Sequence, residues 1–258
     1  MSATSFIGQS IKRTEDRRLS TGKGKYTDDI KLVGMTHAHI LRSPYAHAKI
    51  LSIDISAAQA HEGVVAVFVG ADMAHIRGVP TGWQVNFKDG TTMKEPAHPL
   101  LCPVGQTVKH VGDGVAIIIA ESRSAARDAA DLIDINYEVY PCVVSGRAAI
   151  ADGAPLVHED APSNKAFDWA FGNPLEEVDA AMATAAHITT LELVNQRMSP
   201  NAMEPRSAIG HYDDAMDSYT LWTTSQNPHL TRLLMCAFVL GLPEHKVRVV
   251  APDIVEDF

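Results

Sequence analysis

The sequence predicts an α+β fold, from the spacing of its strands and helices. Short β-branched runs, such as 64–70 and 115–120, are typical of buried strands. Only two helical patterns interleave with the strands of the first half, which favours an α+β domain over a regular array of alternating strands and helices. Residues 146–165 are rich in Gly, Pro, Ala and acid and are interpreted as a linker. A second segment, with its own helices and strands, follows.

In the first segment, residues 71–105 hold many Pro and Gly residues and are predicted to run irregularly over the surface. Ser56 is expected to cap the first helix, and Ser122 or Ser124 the second. The predicted strands cover 35–43, 47–55, 64–70, 107–122 in two pieces, and 134–144, and the predicted helices cover 57–62 and 124–133.

The second segment contains an amphipathic helix that Pro228 begins and Gly241 ends. An earlier helix has Pro174 in its first turn and acidic residues at its amino end. The predicted strands cover 187–195, 207–213, 219–226 and 246–252, and the predicted helices cover 174–186 and 228–240.

Composition excludes several classes of function. The net charge of −9 and the lack of a Lys/Arg block argue against nucleic acid or an anionic membrane as a partner. No apolar run is long enough for a membrane span, and no signal peptide is visible, so a cytoplasmic location is expected. Cys102, Cys142 and Cys236 are far apart, which favours reduced thiols over a disulfide, a zinc site or an iron–sulfur cluster.

The twelve histidines suggest a metal site, but their spacing does not support one. His37 and His39 share one face of a strand, with His47 nearby in sequence. A zinc or iron site needs at least three converging ligands, and no helix carries the H-E-x-x-H pattern. Structural histidines are the favoured interpretation, and no metal site is predicted.

Residues 195–208 form a polar, turn-rich insertion between predicted strands. The segment carries Gln196, Arg197, Glu204 and Arg206. Amides and guanidinium groups at strand ends suit an oxo-anion or a phosphate. The alternative is an ion pair, from Glu204 with Arg206 or with Arg197, that only shapes the loop.

Seven stretches together resemble one family, over essentially the whole chain and in the family's order. The stretches are IGQSIKRTEDRRLSTGKGKYTDDI (7–30), HAHILRSPYAHAKI (37–50), EGVVAVFVGADM (62–73), TVKHVGDGVAIIIAE (107–121), NQRMSPNAMEPR (195–206), WTTSQNPHL (222–230) and GLPEHKVRVVAPD (241–253). They resemble the amino-terminal part of the large molybdopterin-binding subunit of the xanthine dehydrogenase and aldehyde oxidase family, and the carbon monoxide dehydrogenase large chain is the most similar type.

The resemblance implies an a/b-hammerhead domain followed by the truncated start of a molybdenum-cofactor-binding α/β domain. The expected boundaries are 1–19 for a lead-in, 20–145 for the hammerhead domain, 146–165 for the linker and 166–258 for the partial cofactor domain. The complete enzyme is then a molybdenum hydroxylase that oxidises a carbon of an aldehyde, of carbon monoxide or of an N-heterocycle. Its cofactor is molybdenum-molybdopterin in the cytosine dinucleotide form. A medium FAD-binding subunit and a small iron–sulfur subunit are its expected partners.

The resemblance also assigns candidate cofactor-binding residues. Gln196 is the first candidate for the family's amide near the metal, Gln226 is the second, and Phe258 aligns with the family's glycine-rich loop. In that loop Val255, Glu256 and Asp257 replace glycines, and neither β-branched nor acidic side chains readily adopt glycine conformations. A smaller departure is Gly112-Asp113-Gly114, where relatives usually carry Gly-Glu-Pro.

No catalytic residue is assigned within this chain, because the family's catalytic glutamate and its remaining cofactor-binding segments lie beyond this length. The chain is therefore expected to be an amino-terminal fragment that neither holds the cofactor nor turns over substrate by itself. The alternative is a non-catalytic module for subunit docking or assembly, or a gene remnant.

Overall fold

The computed structural model describes residues 6–81, 84–87, 89–96, 98–161, 163–195 and 201–254. These residues form two compact units, one made of 34–195 with 238–240, and the other of 6–33 with 201–237 and 241–254. Within the described ranges, no helix has the length and apolar character needed to cross a membrane.

The mixture of helices and strands confirms the α+β class. The described strands are β1 (His37–Arg42), β2 (Ala48–Asp54), β3 (Val64–Val69), β4 (Thr107–Val108), β5 (Gly114–Ala120), β6 (Asp134–Val139), β7 (Ala208–Asp213), β8 (Ser218–Thr223) and β9 (Val247–Val250). The described α-helices are α1 (Asp16–Ser20), α2 (Ser56–Gln59), α3 (Arg123–Ala130), α4 (Gly146–Ala149), α5 (Leu175–Ala183) and α6 (Pro228–Leu234).

The first sheet is antiparallel, with the strand order β1-β5-β3. Its central strand carries Ile118 and Ala120, both fully buried against Ala126 and Ala129 of α3. Small alanines on this face allow the helix to lie close to the sheet. The Ser122 side chain accepts a hydrogen bond from the Ala125 backbone amide at 3.1 Å and so caps α3 at its first turn.

The second sheet is also antiparallel, with the order β4-β2-β6. Its core consists of Ala48, Ile50, Val108 and Cys102, together with Val115 from β5. Strand β5 therefore contributes to both cores of this unit, which explains why its sequence is a continuous apolar run rather than an alternating one.

The third sheet, in the other unit, has the order β7-β8-β9. Strands β7 and β8 are antiparallel and are joined by a turn in which the Asp213 carboxylate accepts hydrogen bonds from the backbone amides of Ala215 and Met216. Strand β9 is parallel to β8, and the connection between them runs through α6. Helix α6 continues as a π-helix (Met235–Leu240) and ends at Gly241, whose φ of 65° is the left-handed conformation that glycine favours.

Three details of the sequence prediction were wrong. The strand expected over 187–195 does not form, because none of the described strands pairs with this segment, and an unpaired strand leaves its backbone groups unsatisfied. Ser56 does not cap α2. The cap residue is Ile55, and the Asp54 carboxylate accepts hydrogen bonds from both the backbone amide and the hydroxyl of Ser56. Pro174 precedes α5 as its cap residue instead of lying in the first turn.

Residues 146–165, predicted as a linker, include α4 and are held by the Asn164 side chain. Its amide nitrogen donates to the carbonyl oxygens of Ala149 and Pro155, and its oxygen accepts from the Val157 amide, all at 2.9 Å. The segment therefore lies inside the unit formed by 34–195. The boundary between the two expected domains remains a prediction.

Candidate functional site

The carboxyl edge of the parallel pair β8–β9 is the first place where polar groups converge. Parallel strands end at the same edge of a sheet, which is where ligands of open α/β sheets are bound. Two segments follow the strands here, the loop 224–227 after β8 and residues 251–254 after β9. The sequence candidate Gln226 lies in the first of them.

Hydrogen bonds to its neighbours order the loop after β8. The Asn227 side-chain oxygen accepts from the Leu230 amide at 3.1 Å and caps α6. The Ser225 hydroxyl lies 2.9 Å from the Thr231 hydroxyl, and it accepts from the Asn227 amide at 3.2 Å. Gln226, between the two, has an exposed side chain. The loop thus presents one amide to solvent at a defined place on the edge.

The segment after β9 is held by Asp253. The Arg18 guanidinium contacts both carboxylate oxygens, with the Nη2 to Oδ1 distance at 2.6 Å. The Lys25 backbone amide donates to Oδ2 at 2.7 Å. The hydrogen bonds from Arg18 and Lys25 lower the pKa of Asp253 to about 2. These contacts fasten the end of β9 to the segment that follows α1, within the same unit.

The other two sequence candidates, Gln196 and Phe258, lie outside the described residues, as does the 255–257 replacement of the family's glycines. Their assignments remain predictions. Of the polar insertion over 195–208, Glu204 is half-buried and Arg206 is exposed.

The groups described at this edge do not by themselves fit an anionic pterin cofactor. Binding a phosphate or oxo group requires several converging donors. Here the Arg18 guanidinium is engaged by the Asp253 carboxylate, and Gln226 supplies a single exposed amide. A negatively charged Asp253 also opposes an anion nearby. No chemical step can be derived through the cofactor from these residues.

A second polar cluster lies in the other unit, and the sequence prediction missed it. His98, His110 and Asp113 each offer a ligand atom within 4.8 Å of the others. Their spacing of twelve and three residues follows no familiar metal-binding pattern. The one available signal is Asp113 itself, a carboxylate between two glycines just before a buried strand. By contrast, His37 and His39 lie half-buried on one face of β1, as expected.

A cavity of about 290 Å³ lies near this cluster. Its lining includes His110, His47, Lys109 and Cys142. The Nδ1 atom of His47 lies 2.8 Å from the Pro141 carbonyl oxygen, so this nitrogen carries the proton and donates it. The cavity is therefore bordered by an imidazole, a thiol and an amine, on the side of the unit where the histidine cluster lies.

Comparison with known families accounts for most of the chain. The family model for the a/b hammerhead domain of aldehyde oxidase and xanthine dehydrogenase matches residues 21–141. The model for a molybdopterin cofactor-binding domain matches residues 157–254. The two regions follow each other in the order that the sequence predicts.

Individual relatives agree with these matches. The nicotine 6-hydroxylase large subunit of Paenarthrobacter nicotinovorans is 35% identical over 96% of this chain and 29% of the relative. The carbon monoxide dehydrogenase large chain of Afipia carboxidovorans is 34% identical over 96% of this chain and 30% of the relative. The crystal structure of quinoline 2-oxidoreductase from Pseudomonas putida 86 superimposes with a TM-score of 0.83 at 34% identity, over 98% of this chain and 31% of that one.

The chain thus spans about 30% of the length of these relatives. Its hammerhead region precedes its cofactor-binding region. The chain belongs to the xanthine dehydrogenase/aldehyde oxidase family, and it corresponds to the amino-terminal portion of that family's molybdopterin-binding large subunit.

Proposed function

We propose that this chain forms the amino-terminal part of a molybdenum hydroxylase, an oxidoreductase acting on a carbon of an aldehyde, of carbon monoxide or of an N-heterocycle. The observation that carries the proposal is the match of both consecutive family regions over residues 21–141 and 157–254. The relatives named above act on nicotine, carbon monoxide and quinoline, so their names agree on oxidoreductase chemistry and differ in substrate.

The cofactor in this proposal is molybdenum-molybdopterin in its cytosine dinucleotide form, and the 258-residue chain does not hold it alone. Support comes from the carboxyl edge of β8–β9. There Gln226 is one exposed amide, and the Arg18 guanidinium is neutralised by Asp253. A dinucleotide of this kind carries several negative charges, and an edge with one amide offers few donors to them.

Apolar side chains along 167–194 support the idea that this chain is one part of a larger assembly. These side chains are exposed in the described structure. Large exposed apolar patches usually mark an interaction surface. They belong to Phe167, Trp169, Phe171, Leu175, Val178, Met182, Ile188, Leu191, Leu193 and Val194. In the proposal, the rest of the large subunit covers this surface, and FAD-binding and iron–sulfur subunits complete the enzyme.

The test is to express the chain in a host that synthesises molybdenum cofactor and to purify it without added partners. Molybdenum is then measured by inductively coupled plasma mass spectrometry, and pterin by the fluorescence of its oxidised form. We expect substoichiometric molybdenum and no dye reduction with an aldehyde, carbon monoxide or an N-heterocycle. Stoichiometric molybdenum together with dye reduction would contradict the proposal that the chain is inactive alone.

A matched pair of variants tests the exposed apolar surface. Leu191→Asp and Leu193→Asp place charges on the surface, whereas Lys31→Asp changes a charge elsewhere. We expect the first two to reduce binding of an apolar fluorescent dye and to reduce aggregation, because they interrupt the patch. Equal dye binding by all three variants would show that the surface is already covered in the isolated chain.

A further inference from the structure

We propose that His98, His110 and Asp113 bind one divalent cation of the Zn²⁺ class, with the remaining coordination position open to water. The three side chains come from the end of the 71–105 excursion and from the turn before β5. Two imidazoles and one carboxylate are ligands that Zn²⁺ accepts. The site is separate from the β8–β9 edge and does not depend on the proposed function.

The distances between the ligand atoms suit a zinc ion. Ligands about 2.0–2.2 Å from a tetrahedral ion lie about 3.3–3.6 Å from one another. Here Nε2 of His98 is 3.1 Å from Oδ1 of Asp113, and Nδ1 of His110 is 3.9 Å from Oδ2 of Asp113. The two imidazole rings have centroids 5.8 Å apart and planes inclined by 39°. The three ligand atoms lie within 4.8 Å of one another, and the two histidine side chains that would adjust around an ion are exposed.

The carboxylate of Asp113 is the fixed part of this site. Its side chain is only 3% exposed, whereas those of His98 and His110 are 44% and 60% exposed. The Lys109 backbone amide donates to Oδ2 at 3.0 Å and orients the group. A buried carboxylate is costly unless a positive charge compensates it. A divalent cation provides that charge, and the exposed histidines leave a path from solvent.

The cationic side chain nearest in sequence is directed elsewhere. The Lys109 ammonium group donates a hydrogen bond to the Val157 carbonyl oxygen at 3.1 Å. This hydrogen bond is to a different acceptor from the Asp113 carboxylate. His98 can instead donate a hydrogen bond from Nε2 to Asp113, 3.1 Å away, without any metal. The two accounts differ in one respect that is measurable: only a metal site requires His98 and His110 to act together as ligands.

A bound ion would connect two segments of the unit. His98 precedes Leu101 and Cys102, which are buried, and the Cys102 amide donates to the Gly114 carbonyl oxygen at 2.8 Å. The ion would therefore fasten the end of the 71–105 excursion to the turn that begins β5. Because a ligand that binds only the folded state stabilises it, Zn²⁺ should raise the melting temperature of the chain.

The experiment uses the tag-free 258-residue chain after treatment with a chelator. Calorimetric titration with ZnCl₂ at pH 7.5 should give one saturable site per chain, and Co²⁺ should give the visible absorption of a tetrahedral complex. His98→Gln and His110→Gln should each weaken binding at least about tenfold. His75→Gln, an exposed histidine on the same excursion, should bind as the parent does.

Circular dichroism on each variant shows whether it remains folded, and both histidine variants alter exposed side chains. Asp113→Asn is a third variant, and it should abolish binding if it folds. No saturable Zn²⁺ binding to the folded parent chain, or equal binding by the parent and by both folded histidine variants, would overturn the proposal and leave the His98–Asp113 hydrogen bond as the account of the cluster.

Discussion

Arg18 and Asp253, 235 residues apart in the chain, form a two-point ion pair inside one unit. The pair lies just after β9, and the Lys25 amide adds a third contact to the same carboxylate. A bidentate guanidinium–carboxylate pair restricts direction as well as distance. It therefore determines how the amino-terminal segment meets the end of β9.

Replacing Asp253 with Asn should loosen the amino-terminal segment. The neutral amide keeps the shape of the side chain but loses the charge that Arg18 contacts. We expect faster amide hydrogen exchange at Lys25 and earlier proteolytic cleavage over residues 6–33, with little change in the other unit. Arg17→Gln, on the same helix α1, is the matched control. Unchanged exchange at Lys25 in the Asp253 variant would show that the pair does not hold the segment.

The same carboxylate predicts a pH dependence. Its pKa is lowered from an ordinary 3.8 to about 2 in the folded chain. A lowered pKa means that the contribution to stability is complete above about pH 4 and is lost as the pH falls towards about 2. The parent chain and Asp253→Asn should thus differ in urea unfolding at pH 7 and converge near pH 2. If the two proteins differed equally in stability at both pH values, the ionised Asp253 carboxylate would not be the source of the difference.

The three thiols should differ sharply in reactivity. Burial raises the pKa of Cys102 to about 11 and also raises the pKa of Cys236, whereas Cys142 is exposed. Only the thiolate reacts with an aromatic disulfide reagent. The native chain at pH 8 should therefore quickly release about one equivalent of the reagent's aromatic thiolate per chain. In denaturant all three should react. Cys142→Ser should remove the fast phase, and two or more fast thiols in the native parent would refute the prediction.

Ile118 should be a major contributor to the stability of the first sheet. It is fully buried at the centre of β5, against α3. Ile118→Ala should lower the free energy of unfolding by about 2–5 kcal/mol, from lost burial and from the cavity left behind. Val65→Ala on the neighbouring strand β3 shortens a side chain that is 60% exposed. It should change the free energy of unfolding by less than about 0.5 kcal/mol. Urea unfolding of the two variants measures the difference.

Local sequence patterns predicted the regular elements well where one face of an element is buried. Strand β5 was predicted from its short continuous apolar run, and helix α3 from an alanine-rich helical pattern. Helix α6 was predicted from Pro228 and Gly241, whose backbone preferences act locally. The strand expected over 187–195 does not form because its prediction used only a local pattern. Alternation of polar and apolar residues is a property of one segment, whereas a strand exists only if a second segment pairs with it.

Some features of the candidate site could also be predicted from local sequence, and others could not. The sequence placed Gln226 at the last position of a predicted strand, because strand and turn signals are local. The sequence had no means of connecting Arg18 with Asp253, or His98 with Asp113, because both connections depend on how distant segments pack.

The sequence by itself determined the α+β class, most element positions and, through its resemblance, the family. These depend on periodicity and turn chemistry, which a chain carries residue by residue, and on the order of matching segments. Only the tertiary structure decided that Asp253 is held by Arg18 and that two scattered histidines meet a buried carboxylate. Such contacts arise when sheets and loops from distant parts of the chain pack together, and their geometry is not encoded in the spacing of the residues that make them.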